Sequence, residues 1–129
     1  MTIAEVSKQY NLSADTLRYY ERIGLIPPVG RTSGGIRDYT EEDCRWIEFA
    51  KCMRGAGLAI EALVEYVSLF QQGDETVPAR KQILMEQRDH LIKKIQEMQS
   101  TLERLNFKIE RYEQSVLPVE RKLKKNAES

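Results

Sequence analysis

The sequence predicts a mainly α-helical protein: a head of short helices carrying one small β-hairpin, then one long helix. Three observations carry this reading. Capping residues stand ahead of short apolar helical stripes at Thr2, Ser13 and Thr40. The run IPPVGRTSGGIRDYT interrupts those helices with paired prolines and paired glycines. Beyond residue 77, apolar residues recur in steps of three and four over several heptads.

Thr2 with Glu5 fits a capping box, so a first helix starts near residue 3 and ends near Asn11, with Ile3, Val6 and Tyr10 as its stripe. Ser13 is the next N-cap, with Asp15 favourably placed in the first turn. The helix from Ala14 to Ile23 keeps Leu17 and one tyrosine inward, and Gly24 stops it. Two short helices around a tight turn form a helix-turn-helix pattern. Pro27 and Pro28 exclude helix next, and the residues up to Tyr39 read as a small β-hairpin turning at Thr32 to Gly35. Thr40 with Asp43 caps a third helix to about Arg54, whose expected apolar face is Trp46, Phe49, Ala50 and Met53, with Ile47 at its edge. A fourth helix runs from about Ile60 to Gln71. The last is long, from Val77 to about Val116, and would span about 60 Å. Its seam is Leu91, Ile95, Met98, Leu102, Leu105, Ile109 and Tyr112. The short helices cannot cover that seam along its length, so a second copy of the chain is the expected cover, forming a coiled coil. After Pro118 the chain should fray.

With 129 residues and no formal net charge, the chain suits one small domain plus an extension. No apolar run approaches the length of a membrane span, and MTIAEVSK lacks the features of a secretory signal. Two cysteines, Cys44 and Cys52, are poor material for a disulfide scaffold and point to a reducing, cytoplasmic setting. Nucleic acid is not excluded by zero net charge, because local distribution decides. Residues 1 to 37 carry Lys8, Arg18, Arg22, Arg31 and Arg37 against Glu5, Asp15 and Glu21. No catalytic triad, phosphate loop or dinucleotide-binding glycine pattern occurs, so neither an enzyme nor a cofactor is expected. Metal is not expected either. His90 is the only histidine and stands alone on the long helix, and no cysteine flanks that helix.

The order of helix-turn-helix, hairpin wing, two helices and terminal coiled coil is more specific than any one motif. The segments TLRYYERIGLI and IRDY, within the run from Thr2 to Leu63, resemble the MerR-type transcriptional regulators. The resemblance covers about the first two thirds closely, and the rest agrees in kind as a dimerisation helix. It implies a winged helix-turn-helix DNA-binding domain over residues 1–75 and a dimerisation coiled-coil helix over 76–117; the residues beyond, 118–129, read as a flexible basic tail by their own composition. It further implies an antiparallel homodimer on a pseudo-palindromic promoter. Such a dimer distorts an over-long promoter spacer so that RNA polymerase can align both elements, which makes an activator.

Ser13, Thr16 and Arg18 lie at or near the N-terminal end of the second helix, the end that enters the major groove in such folds. Arg18 suits a guanine edge or a phosphate. Tyr19 and Tyr20 point about 100° apart on a helix, so one is expected at phosphate and the other in packing. Arg22, Arg31, Arg37 and Tyr39 are the expected backbone clamps. Taken singly, each arginine reads as well as a solvated charge and each tyrosine as packing; their placement together on one head favours DNA.

Cys52 lies at the margin of the third helix's apolar face, close in azimuth to Arg45 and flanked by Lys51 and Arg54. Nearby cations favour the reactive thiolate. Alone, it reads as a small buried hydrophobe. The segment KCMRGAG, however, resembles a subgroup of the same regulators with one sensory cysteine that responds to electrophiles such as aldehydes. Cys44 reads as structural, because eight residues of helix, about 12 Å, separate it from Cys52. Two other readings stay open: a regulator of the same type without a thiol switch, and a coiled-coil adaptor whose head binds protein.

Overall fold

The structure, a computed structural model, describes residues 1–128. Among the described residues six α-helices follow one another: α1 Ile3–Tyr10, α2 Ala14–Arg22, α3 Glu41–Gly55, α4 Ile60–Gln72, α5 Val77–Glu110 and α6 Leu117–Glu128. A short 3-10 turn at Asp74–Thr76 leads into α5, and a wide π-type stretch at Tyr112–Val116 separates α5 from α6.

The caps sit where the sequence puts them. Thr2 and Thr40 form reciprocal capping boxes with Glu5 and Asp43, and the Ser13 side chain accepts from the Thr16 amide. The Thr2 bonds also hold the Glu5 carboxyl below its usual pKa. Gly24 ends α2 with φ +80, a left-handed conformation that a Cβ disfavours. The turn is closed by Leu25 N–H to Tyr20 O at 2.8 Å and Gly24 N–H to Glu21 O at 3.2 Å. This closure drops Leu25 and Ile26 straight into the core.

One unit runs from Met1 to Asp89 and a second begins at His90. The core of the first gathers Val6 from α1, Leu17 and Tyr20 from α2, Leu25, Ile26 and Val29 from the following loop, and Tyr39 from the end of the wing. Cys44, Ile47 and Ala50 from α3 and Leu63 from α4 complete it. The unit extends further than the expected boundary at residue 75. The start of α5 belongs with the head, because Ile83 buries its side chain there at 8% exposure.

Two expectations about α3 and the wing need correction. Ile47, expected at an edge, is fully buried and is the centre of the α3 core face with Cys44 and Ala50. Trp46 and Phe49 are half-buried instead. They join Tyr66 and Phe70 in a cluster with ring centroids 4.8 Å apart for Trp46–Phe70 and 5.8 Å for Phe49–Tyr66. A helix wheel cannot say which of two apolar stripes meets the core when both exist. The wing, for its part, is thinner than a hairpin of two strands: one antiparallel bridge pairs Arg31 with Arg37. Thr32 N–H to Ile36 O, Gly35 N–H to Thr32 O and Asp38 N–H to Gly30 O complete it. So short a ribbon cannot stand alone in water.

In the second unit Ile95, Met98, Leu102, Leu105 and Ile109 lie exposed along α5 and Leu91 is half-buried, while Tyr112 falls beyond the helix, which ends at Glu110 and not near Val116 as expected. Met98 is 71% exposed and Leu105 53%, and among the described residues from His90 onward none is buried. The expected flexible tail is helical from Leu117 to Glu128; its last residue, Ser129, lies outside the described residues. Pro118 explains both features of this segment. It has no N–H, and inside an uninterrupted helix its ring would meet the Gln114 carbonyl. The chain widens by one residue instead, with Val116 N–H reaching Arg111 O at 3.4 Å, and Pro118 falls in the first turn of a new helix, where no N–H is required. Tyr112 and Glu120 are hydrogen-bonded across the stretch, which raises the Tyr112 pKa.

Truncating Ile47 to Ala should destabilise the protein by about 2–5 kcal/mol, the usual range for a buried large aliphatic. Glu48→Ala, exposed on the next position, should stay within about 0.5 kcal/mol. Urea unfolding followed by circular dichroism measures both.

Candidate nucleic-acid interface and thiol

α2 is divided lengthwise. Leu17 is fully buried and Tyr20 is 8% exposed, while Arg18, Tyr19 and Arg22 face out. The adjacent tyrosines thus part as expected: Tyr20 packs and Tyr19 meets solvent. The Arg22 guanidinium stacks over the Tyr19 ring at 5.3 Å, which stiffens both side chains without burying either. Arg18 pairs with Asp15 at 3.0 Å, but both are exposed, and such a pair is worth at most about 1 kcal/mol. It can yield to a stronger anion. At the start of the helix the Ser13 and Thr16 hydroxyls bond each other at 2.8 Å, at the positive end of the helix dipole.

The wing adds Arg31 and Arg37. Arg31 is exposed and donates to the Gly35 carbonyl at 2.9 Å, across the turn. Arg37 is half-buried, its Nε donating to Glu21 Oε1 of α2 at 2.8 Å. In the sequence Glu21 reads only as an acid offsetting the arginines; sixteen residues part it from Arg37, and no local pattern signals the pair. The structure thereby brings Ser13, Thr16, Arg18, Tyr19, Arg22, Arg31 and Arg37 onto α2 and the wing tied to it.

Tyr20 and Tyr39 do not fit direct contact. The sequence suggests a clamp at Tyr39, yet its ring is 2% exposed and its hydroxyl is buried with no hydrogen-bond partner. The backbone explains the inward turn. Tyr39 N–H bonds the Met1 carbonyl at 2.8 Å, and the Met1 amine bonds the Tyr39 carbonyl at 2.8 Å, fixing the strand end with its ring against the core. Burial pushes the Tyr39 phenol pKa up, against a lesser pull from Arg37. These two tyrosines hold the surface from beneath.

Of the cysteines, Cys52 is exposed and Cys44 buried. The cations expected to activate Cys52 are engaged elsewhere. Arg45 pairs with Glu42 at 3.1 Å and with Glu41 at 3.5 Å, Lys51 donates to the Tyr10 carbonyl, and Arg54 donates to the Leu58 carbonyl at 3.2 Å. Cys44 lies against the Tyr10 phenol, whose pKa is raised by burial first and by Cys44 next. Among the described residues no group of three His, Cys, Asp or Glu side chains could hold a metal, and no helix is long and apolar enough to cross a membrane.

Known proteins share this arrangement. Residues 1–69 match the model of the MerR HTH family regulatory protein, and residues 44–106 match that of MerR, DNA binding. The HTH-type transcriptional regulator AdhR of Bacillus subtilis is 66% identical over 92 residues, covering 71% of this chain. The match spans 66% of that relative, just under two thirds of its length. A crystal structure of a MerR family transcriptional regulator from Listeria monocytogenes superposes with a TM-score of 0.86 at 48% identity, over 99% of this chain and 98% of that one. HiNmlR, a MerR family regulator lacking the sensor domain and bound to promoter DNA, superposes with a TM-score of 0.79 at 28% identity, over 88% and 90% of the two chains.

Brief alkylation of the native protein with iodoacetamide should label Cys52 and spare Cys44, with both labelled in denaturant. Peptide mass spectrometry reads the two sites separately; equal labelling of Cys44 in the native state would contradict its burial.

Proposed function

The chain belongs to the MerR family of helix-turn-helix regulators, and from that premise we propose that it binds double-stranded promoter DNA as a homodimer and switches transcription in the cytoplasm. The observation that carries this is the outward stripe of Arg18, Tyr19 and Arg22 on a helix whose other side is locked in the core. The relatives reported above are transcriptional regulators, not enzymes.

In this reading α2 enters the major groove by its N-terminal end. Ser13 and Thr16 offer hydroxyls there, and Arg18 leaves Asp15 for a guanine edge or a phosphate. Tyr19 and Arg22 grip the backbone as a stacked pair, and Arg31 and Arg37 do so from the wing. The exposed seam from Ile95 to Ile109 supports pairing with a second copy, because a row of exposed leucines, isoleucines and methionine is costly in water. The 34 residues of α5 extend about 51 Å, long enough to hold two heads a helical turn of DNA apart or more. Contact energy from two heads can then be spent on distorting the promoter, which costs several kcal/mol by elastic estimates, roughly 1–6.

The finer part of the proposal concerns the thiol. Exposure near the end of α3 makes Cys52 the accessible nucleophile. Its sulfur adds to the carbonyl carbon of an aldehyde as the C=O π bond opens, and the thiol proton passes to the former carbonyl oxygen, giving a hemithioacetal. The added bulk alters packing around α3 and shifts the relation of the heads. A regulator without this switch is the second reading, favoured by one observation: Arg45, Lys51 and Arg54 already have other partners.

Gel-shift titration on the chain's own upstream region should give log K falling linearly with log salt. Six to ten phosphate contacts would reduce affinity about 10³–10⁵-fold between 50 and 200 mM salt. A monomer in solution, or indifference to any duplex at low salt, would overturn the reading. Cys52→Ser should keep that affinity while losing the transcriptional response to aldehyde challenge; a full response from the serine variant selects the second reading.

A further inference from the structure

We propose that Glu21 is a positioning residue that sets the wing against α2, and through the wing sets the grip of the head on DNA. The consequence for DNA rests on the proposed function above; the positioning itself does not.

Glu21 uses its two oxygens on two different segments. Oε1 accepts from Arg37 Nε at 2.8 Å, on the returning side of the wing. Oε2 accepts from the Val29 amide at 3.2 Å, where the chain leaves Pro27 and Pro28 to enter the wing. One carboxylate on α2 therefore holds both the entry and the return. Its surroundings favour this double hold. The Glu21 and Arg37 side chains are only 17% and 23% exposed, so solvent competes weakly for either bond.

The wing needs such a hold. Its own framework is a single bridge between Arg31 and Arg37 and a few backbone bonds, too little to fix an orientation. The pair with Glu21 engages Arg37 through Nε, which keeps the two terminal nitrogens of the guanidinium outside the pair. Arg37 can thus be held in place and still present donors to a phosphate.

Sign separates this role from a purely electrostatic one. An acid inside a DNA-facing head repels the polyanion, so deleting its charge alone should tighten binding. If Glu21 positions the wing, deleting the charge should weaken binding despite the more favourable field.

The test uses the full chain with Glu21→Gln and Glu21→Asp, the second keeping the charge but shortening the reach. Backbone amide hydrogen exchange in DNA-free protein comes first. Both variants should speed exchange at Thr32 and Asp38 at least tenfold, with Ile47 and Leu63 amides unchanged. Unchanged exchange in the wing overturns the proposal. So does acceleration across the whole head, which would mean general destabilisation. Fluorescence anisotropy with the labelled upstream duplex comes second. Both variants should bind about tenfold more weakly, with a salt slope shallower by about one contact, roughly 0.9. Tighter binding by Glu21→Gln, or unaltered affinity and slope, overturns the link from wing to grip. Failure of the unmodified protein to bind the duplex, with the exchange result intact, strikes the DNA reading alone and leaves the positioning standing.

Discussion

Nine residues do not hold a helix in water, yet the proposed reading head depends on one of that length, α2. The interaction that makes it possible is burial of Leu17 and Tyr20 on one flank, in a core shared with α1, α3, α4 and the loop after Gly24. Every outward feature follows from that inward one. Because the core fixes the rotation of α2, Arg18, Tyr19 and Arg22 are aimed outward, and the Arg18–Asp15 pair and the Arg22–Tyr19 stack only refine that direction. The Ser13 cap and the left-handed turn at Gly24 then end the helix sharply at both sides, so that the buried flank is used in full.

The paired tyrosines show how one dipeptide serves two environments. Neighbouring helix positions differ by about 100°, so a core that takes Tyr20 must turn Tyr19 outward. The wing repeats the principle with other means. Alternation along an extended strand turns Tyr39 inward, and Arg37, two residues earlier and on the same side of the strand, is spared complete burial by a carboxylate that receives it. An arginine held at the core margin by Glu21 is a better-defined donor than one free in solvent, since less side-chain entropy remains to be lost.

The two units obey different physics. The first closes a core within one chain. From His90 onward, no described residue is buried, and helix propensity cannot compensate for a row of bare apolar side chains. That contrast is the physical reason for proposing that the second unit acquires its core from another copy. It also frames the thiol. Cys52 is exposed on α3, whose other faces bear the core and the Trp46 cluster, so the proposed adduct would sit outside the packed core of the head.

What the sequence determined by itself was local. Capping boxes at Thr2 and Thr40, the Ser13 cap, the stop at Gly24 and the seam along α5 are all short-range patterns, written in residues a turn or two apart. The segments TLRYYERIGLI and IRDY carried the family. Tertiary structure alone decided which of two apolar stripes on α3 met the core, which tyrosines were buried, how far the head extended into α5, and that Glu21 joined Arg37. Each of these is a contact between segments distant in the chain, or a choice between faces equally apolar on a wheel. The helical tail lies between the cases. Pro118 signals a break in any sequence, but whether the break ends the helix or starts another depends on whether the preceding turn can widen, and that is a property of the folded backbone.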